Sequence, residues 1–346
     1  MRKIKRKMKD WVIILGISIL ASVPLLAKGI YKGHDIGFHL LRIEGIADEL
    51  KRGQFPVRMQ SLWLEGYGYP VSIYYGDILL YAPATLRLLG VSVTAAYKVY
   101  ILLINIATAA VSYFCFDKIW TNRRIAAIVS LAYVTSGYRM VDIYVRAAVG
   151  EYSAMIFFPL IALSICKIYM SKEYGKAEYR QSAFLLCLGM TGLLENHILS
   201  TEMAIFVLIL VCIVLWKRTF REKIILTYFL AIAETLFLNL YFIVPFLDYY
   251  CNVCANITVS TNTGVKGIQQ MGAYPIQYIS FFQNIFGLSS IGIHERMQLS
   301  PGPLLMFSLI LGLIIYIKKK NKKIFMYMIF SLLMLFWLLM CFHGIF

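Results

Sequence analysis

His34, Asp35, His39 and Arg42 are gathered in KGHDIGFHLLR, residues 32–42, directly after the first long apolar run. Residue types of this kind move protons or hold phosphate and metal. A carboxylate can take a proton from a hydroxyl or ligate a cation, and an imidazole beside it can assist. Here Asp35 is the candidate general base or cation ligand, with His34 or His39 assisting. The same spacing has a plainer reading. Asp35 can cap a helix, and Asp35, His39 and Arg42 at i, i+4, i+7 can form a solvated face. A second group lies in SGYRMVDIYVRAAVGEYSA, 136–154, where Arg139, Asp142 and Arg146 share a helical face and Glu151 opens the next apolar run. Guanidinium groups grip a phosphate with paired hydrogen bonds. Alternatively, the three residues form an internal ion network joining two helix ends. A third group is LLENHILS, 193–200, with Glu195, Asn196 and His197 in a tight turn. His197 is there either a ligand or a satisfied turn residue.

The elements that carry these groups are helices of a membrane. Apolar residues make up 60% of the chain and charged ones 15%, and apolar runs recur at roughly the 20-residue length that crosses a bilayer core. The first, Trp11–Ala27, follows MRKIKRKMK; no small-x-small cleavage site follows, so it reads as a retained helix rather than a signal. Formal net charge is +16. The basic residues cluster at 2–9, 118–124, 172–180, 217–223 and 318–323, which is the cytoplasmic pattern of the positive-inside rule. That distribution points to anionic lipid as partner and away from nucleic acid. It predicts an all-α, multi-pass plasma-membrane protein with a cytoplasmic N-terminus and about nine spans. These fall near 11–27, 92–116, 125–138, 151–169, 182–196, 199–216, 224–247, 302–317 and 324–343. Residues 1–346 then form one polytopic domain with long extracytoplasmic loops at 28–91 and 248–301. No C-terminal soluble domain is expected, and the chain would be a short or truncated member of its group. Oligomeric state cannot be read.

Within the first loop, Ile36, Leu40, Ile43, Ala47 and Leu50 recur at helical spacing. They predict an amphipathic helix lying on the membrane surface, with Asp35, His39, Arg42 and Glu49 on its other side and Gly53 as its stop. A second interfacial helix is expected over 78–90. The tyrosines of 67–81 either stack on sugar rings or form an interfacial belt. Cys251 and Cys254 in CNVC are a weak signal for metal or disulfide. The acidic residues gather on the outer side, which favours surface chemistry over passage of an ion. Glu234 sits deeper, where an acid costs about 2.5–3.5 kcal/mol; Asn239 is its expected partner inside the bundle.

GHDIGFHLLRIEGIADELKRGQFPVRM, GYGYP…YYGD, YVRAAVGEYSAMIFFPL and ENHILS together resemble bacterial pyruvoyl-tetrahydropterin-synthase-related membrane proteins, a group similar to the YfhO-like family. Both resemble the GT-C glycosyltransferase superfamily. That resemblance implies a GT-C-like fold and transfer of sugar from a polyprenyl-phosphate carrier outside the cytoplasm. It implies Asp35 as the catalytic or metal-associated acid and matches Arg146, Glu151 and His197 to its motifs; Glu151 and, from the residue reading, His39 are the further catalytic candidates. His34, Arg42, Arg139, Asp142, Arg146 and His197 would then serve substrate and phosphate, and a divalent cation (Mg or Mn) could share the charge. The rival expectation is a non-catalytic carrier, flippase-like protein or scaffold for lipid-linked envelope glycans.

Overall fold

The chain enters on α1 (Arg2–Ser22), whose apolar run ends where Pro24 removes a backbone donor and a single 3-10 turn follows. In this computed structural model residues 2–171, 175–253 and scattered positions between 310 and 318 are described. Among them the fold is all helical. The one strand-like feature is an isolated bridge between Gln60 and Tyr69. After α1 come α2 (Ile36–Lys51), α3 (Tyr81–Leu88), α4 (Val93–Trp120), α5 (Arg123–Val134) and α6 (Val149–Met170). Then follow α7 (Lys176–Leu194), α8 (Ile198–Val214), α9 (Glu222–Leu238) and α10 (Leu240–Asn252).

Local chemistry sets these boundaries. Gly53, at φ +86°, stops α2 as expected. Ser92 Oγ accepts the Ala95 N–H at 3.3 Å to start α4. Asn122 Oδ1 accepts from Arg124 and Ile125 to start α5. Helix α4 is the axis. It packs on α1, α3, α5 and α6, while α7 joins α6 to α9. One apolar core lies between α2, α3 and α4, a second between α1, α4 and α5, and a third among α6 to α9.

Among the described residues three helices are long and apolar enough to cross a bilayer: Met8–Leu26, Val93–Trp120 and Val149–Met170. A fourth crossing is formed if α9 and α10, bent by 73°, count as one. The expectation of an all-helical, membrane-spanning chain is therefore met in coarse form, and nine spans are not shown. Helix α5 has 12 residues, a rise of about 18 Å, short of the ~30 Å core. Helix α8 is also short, and α7 opens on the charged residues Lys176, Glu178 and Arg180. Of the helix expected at 302–317 only scattered positions from 310 onward are described, and they are helical; the helix expected at 324–343 and most of the loop 248–301 lie outside the described residues. So does Cys254, while Cys251 is exposed.

Two local expectations are corrected. Helix α2 does not lie on a surface with its polar side in water. His39, Arg42 and Glu49 are buried along with Ile43 and Ala47, because α2 is covered by α3 and α4 on one side and by residues 57–76 on the other. Glu49 Oε1 accepts from the Ser61 N–H at 2.9 Å and from its hydroxyl at 2.5 Å. Glu234 is exposed rather than inward, since Asn239 uses its amide on Thr191 Oγ1 at 2.9 Å and Thr235 O at 2.6 Å to hold the α9–α10 elbow.

Some of the closest packing depends on glycine. A Cβ on Gly76 would overlap the backbone of Glu195, so the 71–77 segment lies directly on the α7–α8 turn. Gly76→Ala is expected to cost roughly 1–3 kcal/mol through the forced backbone shift. Gly16, with nothing within 4 Å of its absent Cβ, should accept Ala without loss. Thermal unfolding of both variants in detergent checks the contrast.

Candidate functional site

Asp35 occupies the position before α2 but makes no capping bond with its side chain. Its carboxylate is exposed and has no partner among the described residues. What fixes it is the backbone: Asp35 N–H donates to Arg146 O at 2.9 Å. Two residues earlier, a Cβ on Gly33 would stand 2.8 Å from Val145 O and 3.1 Å from Ala147 Cβ. The first motif therefore abuts the second, main chain against main chain.

The second motif is shaped to receive it. Residues Asp142–Arg146 form one π-helical turn, a rare conformation that recurs at functional sites. It ends at Ala147 in the left-handed region, φ 59°, and Ala148 N–H returns to Asp142 O at 2.9 Å. The π turn also scatters the expected Arg139–Asp142–Arg146 face. Arg139 is 0% exposed and donates to Val134 O at 2.9 Å and Thr108 Oγ1 at 3.1 Å. It closes the C-terminal end of α5 and cannot reach a ligand phosphate. Arg146 instead forms the network, through Nη1 alone, to Asp142 Oδ1 at 2.6 Å and Glu151 Oε2 at 2.9 Å. Tyr138 Oη donates to Glu151 Oε1. The Arg146 side chain keeps 25% exposure, so its remaining N–H groups face the open. Burial, then the charge of Glu151, push the Asp142 carboxyl well above the usual range against the pull of Arg146.

Tyr75 joins the other motif segments. The Arg42 guanidinium lies 4.3 Å from its ring centre and donates to Tyr75 O at 3.1 Å and Gly76 O at 3.0 Å. The His39 and His197 rings stand 6.1 Å and 6.4 Å from it. Its hydroxyl fills the space where a Gly150 Cβ would sit. Arg42 is 0% exposed and spent on carbonyl groups, so its expected role at phosphate is corrected to a structural one. His39 is buried, and Nδ1 has no partner. Burial, then the charges of Arg42 and His197, hold it well below the ordinary histidine value and therefore neutral. His197 starts α8, its Nδ1 accepting the Ser200 N–H at 3.3 Å, which is the satisfied-turn reading. Burial lowers its basicity first, with Glu151 and Arg146 acting in opposite senses.

The structure thus brings Asp35, Arg146 and Glu151 to one place, with His39 and His197 behind them across Tyr75. His34 is exposed next to Asp35. Among the described residues no group of three His, Cys, Asp or Glu could hold a metal ion. Asp35 is the residue that would hold the expected divalent cation, the remaining positions being left to substrate phosphate and water. Sequence reasoning missed Tyr138 and named Tyr75 only within the tyrosine-rich 67–81 segment. It named Glu195 only in the turn and did not pair it with the half-buried Asp77; each has one buried oxygen lacking a partner. Tyr241 Oη donates to Glu195 Oε2 at 2.6 Å, and Arg58 donates to Tyr241 O. The one available signal was that YYGD and ENH both place a polar group next to a residue needing tight backbone contact.

Burial raises the Glu195 carboxyl to about 7, with the Tyr241 hydrogen bond pulling the other way. The folded chain then keeps a proton that the unfolded chain releases near pH 4.3, the ordinary glutamate value to within about a unit. The stability this confers is complete below that value and is lost as pH rises through about 7. Glu195→Gln should flatten this fall, seen by comparing unfolding midpoints of both proteins at about pH 5 and about pH 8.

Comparison with known proteins adds little to this geometry. No family model matches the chain, and no solved structure matches it. A protein of Lactococcus lactis subsp. cremoris (strain MG1363), named "Uncharacterized protein", is 25% identical over 254 residues, 70% of this chain and 40% of that one. The chain therefore spans about 40% of the length of this relative.

Proposed function

We propose that the chain is a polytopic GT-C-like glycosyltransferase, moving sugar from a polyprenyl-phosphate donor to an acceptor at the outer face of a bacterial plasma membrane. One observation carries the reading: an exposed, unpartnered Asp35 carboxylate is tied through its own backbone to the Arg146 turn. Orientation is supported by the basic clusters. The α4–α5 connection meets α1 near its basic start, at Asp10, whereas Asp35 follows the opposite end of α1. Asp10 accepts from Tyr113 and Arg123, both at 2.8 Å. A cytoplasmic end so marked leaves Asp35 outside, where nucleotide sugars are absent and a lipid-linked donor is required.

In this reading Asp35 takes the proton from an acceptor hydroxyl. The acceptor oxygen bonds to the anomeric carbon as the bond from that carbon to the phosphate oxygen breaks. Polyprenyl phosphate leaves with the electron pair. The free N–H groups of Arg146 face the developing charge, while Glu151 and Asp142 hold the guanidinium in place. Neutral His39 and His197 lie behind Tyr75 and support the wall rather than the reacting atoms.

A carrier of lipid-linked glycans is the second reading. It is favoured by the fact that Arg146 already has two carboxylate partners. The two separate in liposomes with a radiolabelled polyprenyl-phosphate sugar. Transfer or release of sugar is expected, reduced at least ~100-fold in Asp35→Asn with an unchanged unfolding midpoint. Wild-type rates from that variant reject Asp35 as base, and binding without turnover selects the carrier.

A further inference from the structure

The loop after α2 carries an aromatic cluster that the proposed transfer does not use. Phe38, in the first turn of α2, meets Trp63 edge to face with 5.3 Å between ring centres. Trp63 in turn stands 5.5 Å from Tyr69. Phe38 and Tyr69 are exposed and Trp63 is half-buried, so part of each ring reaches the surface. Three residues of α2, about 4.5 Å of rise, separate Phe38 from Asp35.

Residues 60–69 hold these rings still. Gln60 N–H donates to Tyr69 O at 3.0 Å and Tyr69 N–H to Gln60 O at 3.1 Å, which closes the loop at its base. Gly68 N–H donates to Trp63 O at 3.0 Å across its middle. Trp63 Nε1–H donates to the fully buried Gln60 Oε1 at 2.9 Å, and Gln60 Nε2 donates to Ser72 Oγ at 2.9 Å. A Cβ on Gly45 of α2 would overlap that Gln60 amide, so the loop is seated directly on the helix. Its tip is strained. Leu64 and Glu65, neither a glycine, are consecutive left-handed residues at φ 54° and 57°. Strain of this kind persists where the surroundings over-determine it, and it gathers at ligand contacts.

Two features choose among the surfaces that such rings serve. In an interfacial belt the indole N–H is turned to water and headgroups; that of Trp63 is taken by a buried amide. Glu65 stands exposed at the tip beside Leu64, its carboxylate without a hydrogen-bond or ion-pair partner among the described residues, and hydrocarbon penalises an acid placed there. Rigid rings with one free acceptor at their rim suit a pyranose. Its C–H face stacks on the negative face of an aromatic ring, and its hydroxyl groups donate to a carboxylate. We propose that Phe38, Trp63 and Tyr69 form the stacking platform of a carbohydrate site, with Glu65 accepting sugar hydroxyls, and that the sugar held there is the acceptor. Its role as acceptor rests on the glycosyltransferase reading, since a sugar stacked on Phe38 presents a hydroxyl to Asp35; the carbohydrate site itself does not depend on that reading.

The test screens the full chain in nanodiscs against an array of soluble oligosaccharides and titrates the tightest one by calorimetry. Trp63→Ala is expected to lose at least ~10-fold in affinity, while Trp63→Phe, which keeps a ring, stays within about threefold of wild type. Glu65→Gln, at a side chain the fold does not use, should also bind more weakly, and Asp35→Asn should bind as wild type. Absence of binding by the wild type overturns the site, and so does wild-type affinity in both Trp63→Ala and Glu65→Gln. Quenching of Trp63 emission by lipids brominated in the acyl chain, read as the difference between wild type and Trp63→Phe, overturns it in favour of a membrane belt. Sugar transfer unchanged in Trp63→Ala overturns the acceptor assignment and leaves the glycosyltransferase reading standing. Ring-dependent binding with no transfer by the wild type keeps the carbohydrate site and removes that reading.

Discussion

The candidate site depends on one seam between main chains: Asp35 N–H on Arg146 O, with Gly33 set against Val145 and Ala147. A backbone bond orients a residue without occupying its side chain. Asp35 therefore sits at a helix start, where a carboxylate would ordinarily turn inward to cap, and yet keeps both oxygens free. The π turn makes this geometry available, because its extra residue presents the Arg146 carbonyl outward and sends Ala147 into the left-handed region.

Around the seam, three guanidinium groups divide into two kinds. Arg42 and Arg139 are fully buried and satisfied mainly by carbonyl oxygens, which makes them fixtures of the fold. Removing either would leave buried carbonyl groups without donors, a penalty of about 1–3 kcal/mol per group. Arg146 alone combines partial exposure with acidic partners. Chemistry at this site thus has one exposed acid and one held cation available to it, set on a neutral, largely aromatic backing.

Much of the helical framework was legible in the sequence, because apolar runs, Gly53 and the polar turn at Glu195–His197 are local signals. The three motif segments do converge. Burial of polar residues was not legible. The apolar spacing of α2 was clear, but nothing local announces that residues 57–76 fold over its other side and bury His39, Arg42 and Glu49. Likewise Arg139 and Arg146 look equivalent at helical spacing, and a π turn, invisible to a period of 3.6, separates their fates. Nine spans are not shown among the described residues for a related reason. Apolar composition marks α5 and α8, but only the folded chain shows how soon each one ends.

Gly150 is held against Tyr75 by an absence, since the phenol occupies the room a methyl group would take. Gly33 and Gly76 do the same for their neighbours. A scaffold registered by missing atoms leaves its reactive side chains out of the fitting. Descendants of this fold are thus free to exchange the acid at position 35, and with it the reaction performed, while their glycines stay put.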